Sequence, residues 1–285
     1  MEIRQLQQGD EKRLERFLRP RTDSSMFLRA TLHRAGLVNR GERYAGDYVG
    51  AFRGRSLVGV VAHFNQGNLA PQAPLAVLPE LVPAMLQASG RDVEGAVGPA
   101  DQVGAVLETL GKVARRRKLD ELEGLYTLDL AVLRVPSMLR AQRIAVRPIE
   151  ESDRQLLVPW FDAYGVETLG DSPGAERTRR SQARFDTMLA EERGFLLLRD
   201  GERVAFSGFN AVLPDAVQVG GVYTPPCERR KGFARGVVAG SLLAARKRGA
   251  QRAILFTDDD NVAAIRAYRA LGFEREGDFR LTLLG

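Results

Sequence analysis

The stretch Val217–Gly249, VQVGGVYTPPCERRKGFARGVVAGSLLAARKRG, constrains this chain more than any other. Val217, Val219, Val222 and Tyr223 suit a strand. Pro225 and Pro226 end it, because proline has no N–H to give to a ladder. From Phe233 the apolar residues recur at helical spacing, at Val237, Val238, Leu242 and Ala245. The basic segment Arg229-Arg230-Lys231-Gly232-Phe233-Ala234-Arg235 therefore leads from a strand into the first turn of a helix. The N–H groups of that turn have no intrahelical partner, and the helix dipole is positive there. Such a loop is an anion site. Gly232 allows close approach of the backbone to an oxygen-rich ligand, and Arg229, Arg230, Lys231 and Arg235 surround it with charge. Just upstream, the adjacent Gly220 and Gly221 mark a bulge or a close backbone approach in the strand.

With Arg229, Gly232 and Ala234 in its three defining positions, the loop resembles the Q/R-x-x-G-x-G/A pyrophosphate loop of the GNAT N-acetyltransferases. A second match lies one predicted strand downstream, at Asn261-x-x-Ala264-x-x-x-Tyr268-x-x-x-Gly272-Phe273. The wording VYTPP is similar to that of a bacterial group of GNAT acetyltransferases, some with an additional N-terminal domain. The resemblance covers the second half of the chain well and the first half faintly. It implies a GNAT fold, an α/β (α+β) arrangement in which a mixed, mostly antiparallel sheet is flanked by helices. It also implies acetyl-CoA as co-substrate and transfer of the acetyl group to a primary amine.

The order of elements extends that expectation to the whole chain. Ile3 and Leu6 open a short strand, Asp10 is a candidate N-cap, and Leu14, Phe17 and Leu18 line the inner face of a helix. Ser24–Leu37 reads as a second helix, and Tyr48–Phe52 with Leu57–Phe64 as a hairpin around Gly54. Leu69–Pro83 is proline-rich and gives no clear pattern. A helix over Leu78–Ser89, a strand over Val93–Val97, a helix over Gln102–Lys118 and a strand over Leu125–Leu133 follow. A boundary falls near Met138–Gln142. Beyond it come a strand over Arg143–Pro148, a helix capped by Ser152 or Asp153 and running to Ala163, and a glycine-containing loop over 165–174. A helix over Ala175–Arg193 and a hairpin turning at Asp200-Gly201 lead into the central strand. Arg252–Phe256 is a strand, Asn261–Leu271 a helix closed by Gly272, and Phe273–Glu276 with Phe279–Leu284 an edge hairpin. The expectation is two tandem GNAT-like domains: 1–140, degenerate and without cofactor because its loop after the hairpin has Gly67, Pro71 and Pro74 but no basic cradle, with an unrelated α/β domain as the rival there, and 141–285, catalytic. The first would shape or cover the acceptor site.

The resemblance also assigns roles. Val222, Tyr223 and Thr224 are expected to meet the pantetheine arm, with a backbone N–H near Val222 polarising the thioester carbonyl as an oxyanion donor. Arg229, Arg230, Lys231, Gly232, Phe233, Ala234 and Arg235 are expected to hold the pyrophosphate, and Asn261 and Ala264 to reach the pantetheine amides. Tyr268 stands where the family keeps the general acid that protonates the departing thiolate. Many relatives have glycine in place of Arg230, so its side chain must point away from the phosphates. A general base is harder to find: the strand 216–222 has no carboxylate. Glu167 is the first candidate, ahead of Asp171 and Asp215, and proximity alone is the alternative. Cys227, with no histidine near it in sequence, is not expected to form an acyl-enzyme. A non-catalytic reading, in which the site survives as a CoA sensor and the basic faces bind a partner or nucleic acid, is the rival.

Composition limits the remaining classes. A single cysteine excludes an internal disulfide, and no Cys/His grouping points to a metal. The net charge of +6 suits a phosphate-bearing co-substrate, and with 7% aromatic residues and no stacking motif nucleic acid is not expected as a partner. No apolar run reaches membrane length, and the charged opening MEIRQLQQGDEKRLERFL is unlike a signal peptide, so a cytoplasmic monomer or homodimer acting on a small amine or peptide is expected.

Overall fold

Across residues 1–42, 44–170 and 172–285, which the computed structural model describes, the chain divides into two units. The first comprises Met1–Tyr126, Phe256–Asp260 and Arg275–Gly285; the second comprises Thr127–Leu255 and Asn261–Glu274. In chain order the elements are β1 (Glu2–Gln5), α1 (Glu11–Leu18), α2 (Thr22–Ala35), β2 (Gly46–Arg53), β3 (Ser56–Phe64), β4 (Asn68–Gln72), α3 (Leu78–Ser89), β5 (Gly95–Pro99), α4 (Ala100–Leu110) and β6 (Arg117–Asp129). They continue with α5 (Ser137–Arg140), β7 (Ala145–Pro148), α6 (Arg154–Leu169), α7 (Ala175–Ala190), β8 (Gly194–Arg199), β9 (Glu202–Val212), β10 (Ala216–Tyr223), α8 (Phe233–Lys247), β11 (Arg252–Thr257), α9 (Val262–Leu271) and β12 (Glu274–Leu284).

In the first unit β1 pairs with β2, β2 with β3 and β3 with β4, all antiparallel, and β4 pairs with β5 in parallel. β12 then pairs antiparallel with β5, from Phe279 opposite Pro99 to Leu283 opposite Gly95. The period of two along β2 puts Val49 and Ala51 on one face, where they meet Leu78, Leu81, Val82 and Met85 of α3 and Val103, Val106 and Leu107 of α4. Leu284 belongs to the same core. On β12 the side chains of Arg280 and Thr282 fasten it to β6: Arg280 Nε and Nη2 donate to Asp120 at 2.7 Å each, and Thr282 Oγ1 at 2.8 Å. The Arg280 guanidinium holds the Asp120 carboxyl well below the usual range.

The second unit repeats the ladder: β7–β8, β8–β9 and β9–β10 are antiparallel and β10–β11 is parallel. Its core gathers Leu157, Val158 and Phe161 of α6, Phe185 and Met188 of α7, and Leu196 and Phe206 of the sheet. Both units are thus mixed, mostly antiparallel sheets with helices on them. Among the described residues no helix is long and apolar enough to cross a membrane.

Several elements depart from the sequence expectation. The proline-rich stretch contains β4, with Pro71 opposite Val61 of β3. The helix expected over Gln102–Lys118 stops at Leu110, where Gly111 takes φ +58°, and the basic run at Arg117 instead opens the long β6. Asp10 sits at the start of α1 but does not cap it; its carboxylate goes to Arg4 and Arg13. No edge hairpin closes the chain: 274–284 is one strand, Gly277 does not turn, and the segment lies between β5 and β6 in the sheet.

Candidate acetyl-donor and acceptor site

β10 is where the second unit's sheet opens. Its parallel ladder with β11 covers Ala216–Gln218 opposite Arg252–Ile254, while the strand itself continues to Tyr223. On its other side the register with β9 slips between Gly220 and Tyr223. The slip is the bulge expected at the paired glycines, and Gly221 takes φ +64°, a conformation L side chains rarely adopt. Val222 therefore lies within a bulge, past the end of the β11 ladder.

Thr224 follows the strand, and its Oγ1 is buried without a hydrogen-bond partner. Its carbonyl accepts from Arg229 Nε at 2.9 Å, which folds the chain back over the Pro225–Glu228 turn. Arg230 adopts φ +62° and Gly232 φ +81°. The first value explains why glycine suits that position: a left-handed arginine costs about 1 kcal/mol or more. Arg230 is exposed. Gly232 starts α8 with no side-chain cap, so the N–H groups of Phe233, Ala234 and Arg235 face outward, and the space beside Gly232 is open except for Arg235 Nη2 at 3.8 Å. The Phe233 ring itself is buried and contributes to the core, leaving only its backbone to the loop.

The loop's cations are not equivalent. Arg229 Nη2 lies 2.5 Å from Glu167 Oε2, and Lys231 Nζ lies 3.1 Å from Glu228. Arg230 and Arg235 have no ion-pair partner among the described residues and surround the helix N-terminus with uncompensated charge. Thr224 Oγ1 without a partner, an uncapped first helical turn, open space at Gly232 and two unpaired arginines together fit a diphosphate with an amide-bearing arm.

α9 holds the downstream motif. Asn261 caps it, its side chain accepting from Ala264 N at 3.2 Å. Tyr268 packs edge-on against Phe273 at 5.8 Å. Burial pushes the Tyr268 hydroxyl above the usual tyrosine value, and the nearby Tyr164 adds to the rise, so the phenol keeps its proton. By surface area Tyr268 retains some exposure, so the hydroxyl is shielded and the residue is not sealed in.

Glu167 is on the last turn of α6, which extends to Leu169, six residues beyond the expected end at Ala163. Gly165 does not break this helix because the Arg177 guanidinium occupies the place of its missing side chain and donates from Nη2 to Phe161 O at 2.8 Å. Glu167 thus meets the cofactor loop through Arg229. Asp215 precedes β10 at the end opposite Val222, so the strand's length separates it from the bulge. Asp171 lies outside the described residues.

One residue that the sequence pattern does not single out reaches the bulge. Arg184 of α7 lies with its guanidinium against Gly221, where a Cβ would run into Nη2, and over the rings of Phe161 at 4.7 Å and Tyr164 at 5.3 Å. Desolvation pulls its pKa below the ordinary arginine value, with Tyr164 acting against that and Arg177 with it. A signal was present: along α7 the inward positions run Arg177, Ser181, Phe185 and Met188, so arginines stand on the buried side of a helix.

Residues 157–273 match the sequence model of the acetyltransferase (GNAT) family. The chain is similar in structure to a GCN5-related N-acetyltransferase from Sphaerobacter thermophilus, with 13% identity, a TM-score of 0.57, and 99% of this chain and 94% of that one covered. It is also similar to an acetyltransferase of the GNAT family from Colwellia psychrerythraea (13%, TM-score 0.55, 100% of both chains). A third is a tandem GNAT protein from the clavulanic acid biosynthesis pathway (14%, TM-score 0.52, 100% of this chain and 98% of that one). At such identities the likeness is one of fold. No curated protein matches the chain. Residues 157–273 carry the GNAT family match, and over the rest of the chain the likeness is one of fold. The match supports acetyl transfer as the chain's general chemistry, with acetyl-CoA as the family's donor.

Proposed function

We propose that the protein moves the acetyl group of acetyl-CoA directly to a primary amine, with residues 141–285 catalytic and the GNAT-like region 1–140 binding no cofactor. The observation that carries this reading is β10 itself: its parallel ladder ends at Gln218, it bulges at Gly221, and it leads into the uncapped N-terminus of α8. Acetyl-CoA supplies the thioester. Arg235 and the first-turn N–H groups of α8 bind the diphosphate, with Arg229 and Lys231 at the rim and Arg230 adding charge from outside the loop. Thr224 Oγ1, Asn261 and Ala264 face the arm, and the backbone at Val222 and Tyr223 orients the carbonyl and stabilises the oxyanion. As the amine takes the acetyl group, the carbon–sulfur bond breaks and Tyr268 gives its proton to the leaving sulfur. The proton lost by the amine returns to Tyr268 through water, and Glu167 assists as base when Arg229 turns to the phosphates.

The test is incubation with labelled acetyl-CoA against a panel of amines, with product masses read for the wild type and for Tyr268→Phe. The variant keeps the ring and its contact with Phe273, so folding and CoA affinity hold. Turnover is expected to fall by about 10²-fold or more, kcat and kcat/KM together. A fully active variant would remove Tyr268 from the mechanism. Tight CoA binding with no amine acetylated would favour the sensor.

A further inference from the structure

Among the described residues Arg184 is a cation without an anion. It has no carboxylate partner among them, and its neighbours are the faces of Phe161 and Tyr164 and the backbone of Gly221. Aromatic faces attract a guanidinium but do not neutralise it, and they leave its N–H donors unmet. The adjacent Arg177 is different: its Nε lies 3.7 Å from Asp162 Oδ1, and Asp162 also accepts from Thr178 at 2.9 Å and Ser181 at 2.6 Å. One arginine of the pair is thus fixed within the fold and the other is offered.

The place where it is offered carries the inference. Gly221 precedes Val222, the backbone that orients the acetyl carbonyl in the function proposed above, and adjacent Cα atoms are about 3.8 Å apart. Glycine at 221 meets two demands, the left-handed backbone of the bulge and room for the guanidinium. Tyr164 is one of the two rings beneath Arg184. Arg184, Tyr164 and Gly221 therefore lie together beside the backbone of Val222. Resting on that functional reading, we infer that Arg184 binds a carboxylate of the acceptor, and that the acceptors are amines bearing a carboxylate a short spacer away, such as amino acids or peptides presenting both groups. A guanidinium fork matches a carboxylate with two parallel hydrogen bonds. The site offers one uncompensated positive charge, since Arg177 is paired, and this suits a monoanion. A polyamine or other polycation would bring like charge against Arg184.

The experiment compares amino acids with their own carboxamides. The chain's single tryptophan, Trp160, has its ring 5.8 Å from that of Tyr223, so its fluorescence reports ligands at the β10 bulge without requiring turnover. Titrations with and without CoA are expected to show carboxylates binding at least tenfold more tightly than the matched carboxamides. The preference should vanish in Arg184→Met and persist in part in Arg184→Lys, with CoA affinity unchanged in both. Equal binding within the pairs, a preference surviving in Arg184→Met, or no binding by either member would overturn the inference. Should Arg184→Met fail to fold, the wild-type comparison and Arg184→Lys still decide it. Loss of the functional reading shows separately, as absent CoA binding or absent acetyl transfer while the carboxylate preference is read by fluorescence.

Discussion

In the first unit β4 pairs antiparallel with β3 and parallel with β5, then reaches α3 through Ala73-Pro74-Leu75-Ala76-Val77. In the second, β10 pairs antiparallel with β9 and parallel with β11, then reaches α8 through Thr224–Gly232. The ladders are alike and the connections are not. The first connection has no charged residue and no glycine, and α3 begins at Val77 in an ordinary right-handed conformation with Pro79 in its first turn. Proline there lacks one of the N–H groups that an anion would use. The second connection carries Arg229, Arg230 and Lys231, left-handed residues at 230 and 232, and an uncapped first turn. The scaffold therefore tolerates either loop, and ligand chemistry depends on a few residues after one strand.

The correspondence reaches the opening strands. Arg4 clasps Asp10 with Nη1 at 2.7 Å and Nη2 at 3.0 Å; Arg147 clasps Asp153 at 2.7 and 2.9 Å. Gln7 N donates to Asp10 at 3.1 Å and Glu150 N to Asp153 at 2.8 Å. Each aspartate thus ties the first strand to the start of the first helix. The two surroundings differ: Arg203 adds a third contact to Asp153, which is fully buried, whereas Arg13 supports Asp10.

The largest expected effect concerns what closes the first unit. Deleting residues 275–285 removes the antiparallel partner of β5, the bonds of Arg280 and Thr282 to Asp120, and the Phe279 ring, which packs tilted on Phe256 at 4.1 Å and stacks on Phe27 at 5.7 Å. Loss of buried Phe279 and Leu284 alone should cost at least about 4 kcal/mol. Chemical denaturation should show destabilisation of that size, and hydrogen exchange should show β5 losing protection. Unchanged protection of β5 would mean that the first unit does not depend on the chain's last strand.

Next is the contrast between the loops. Calorimetry with CoA is expected to give one site per chain, and Gly232→Asp should weaken it by about 10²-fold or more, by placing a negative charge on the helix dipole's positive end and a side chain at φ +81°. A second equivalent of CoA, or a full-affinity site surviving in Gly232→Asp, would break the contrast by giving the first unit a site of its own.

What the sequence made legible followed from locality. The pyrophosphate loop, the bulge at Gly220–Gly221 and the Asn261 cap are defined by residues close in sequence, and each has its own backbone rule. The destination of β12 was not legible, because alternation identifies a strand and not its partner. The sequence puts Glu167 in the glycine-containing stretch 165–174; only the packing of Arg177, twelve residues beyond Gly165, shows why the helix continues. Arg184 was missed for a related reason. Its meaning lies in what it touches, and Gly221 and Tyr164 are distant in sequence.

The smallest expected effect tests whether the repeated aspartate clasp holds its unit together. The Arg4 guanidinium, with help from the Gln7 N–H and Arg13, brings the Asp10 carboxyl down to about 2 from an ordinary value near 3.8. A carboxyl depressed on folding gives stability that is fully present above its unfolded value and is lost as pH falls through its folded value. The window is therefore between about pH 4 and pH 2. Arg4 and Arg13 remain 35% and 41% exposed, and solvent screens them, so the contribution is about 1–2 kcal/mol. Asp10→Asn should lower stability by that amount at neutral pH and flatten the part of the acid-unfolding curve between those two values. Equal acid sensitivity in the variant would assign that loss of stability to other carboxylates. Asp120 and Asp153 are also depressed, Asp153 because Arg147, the Glu150 N–H and Arg203 outweigh a strong desolvation acting the other way. Acid unfolding of Asp10→Asn, followed through hydrogen exchange at β1 and β2, therefore separates the first clasp from the second.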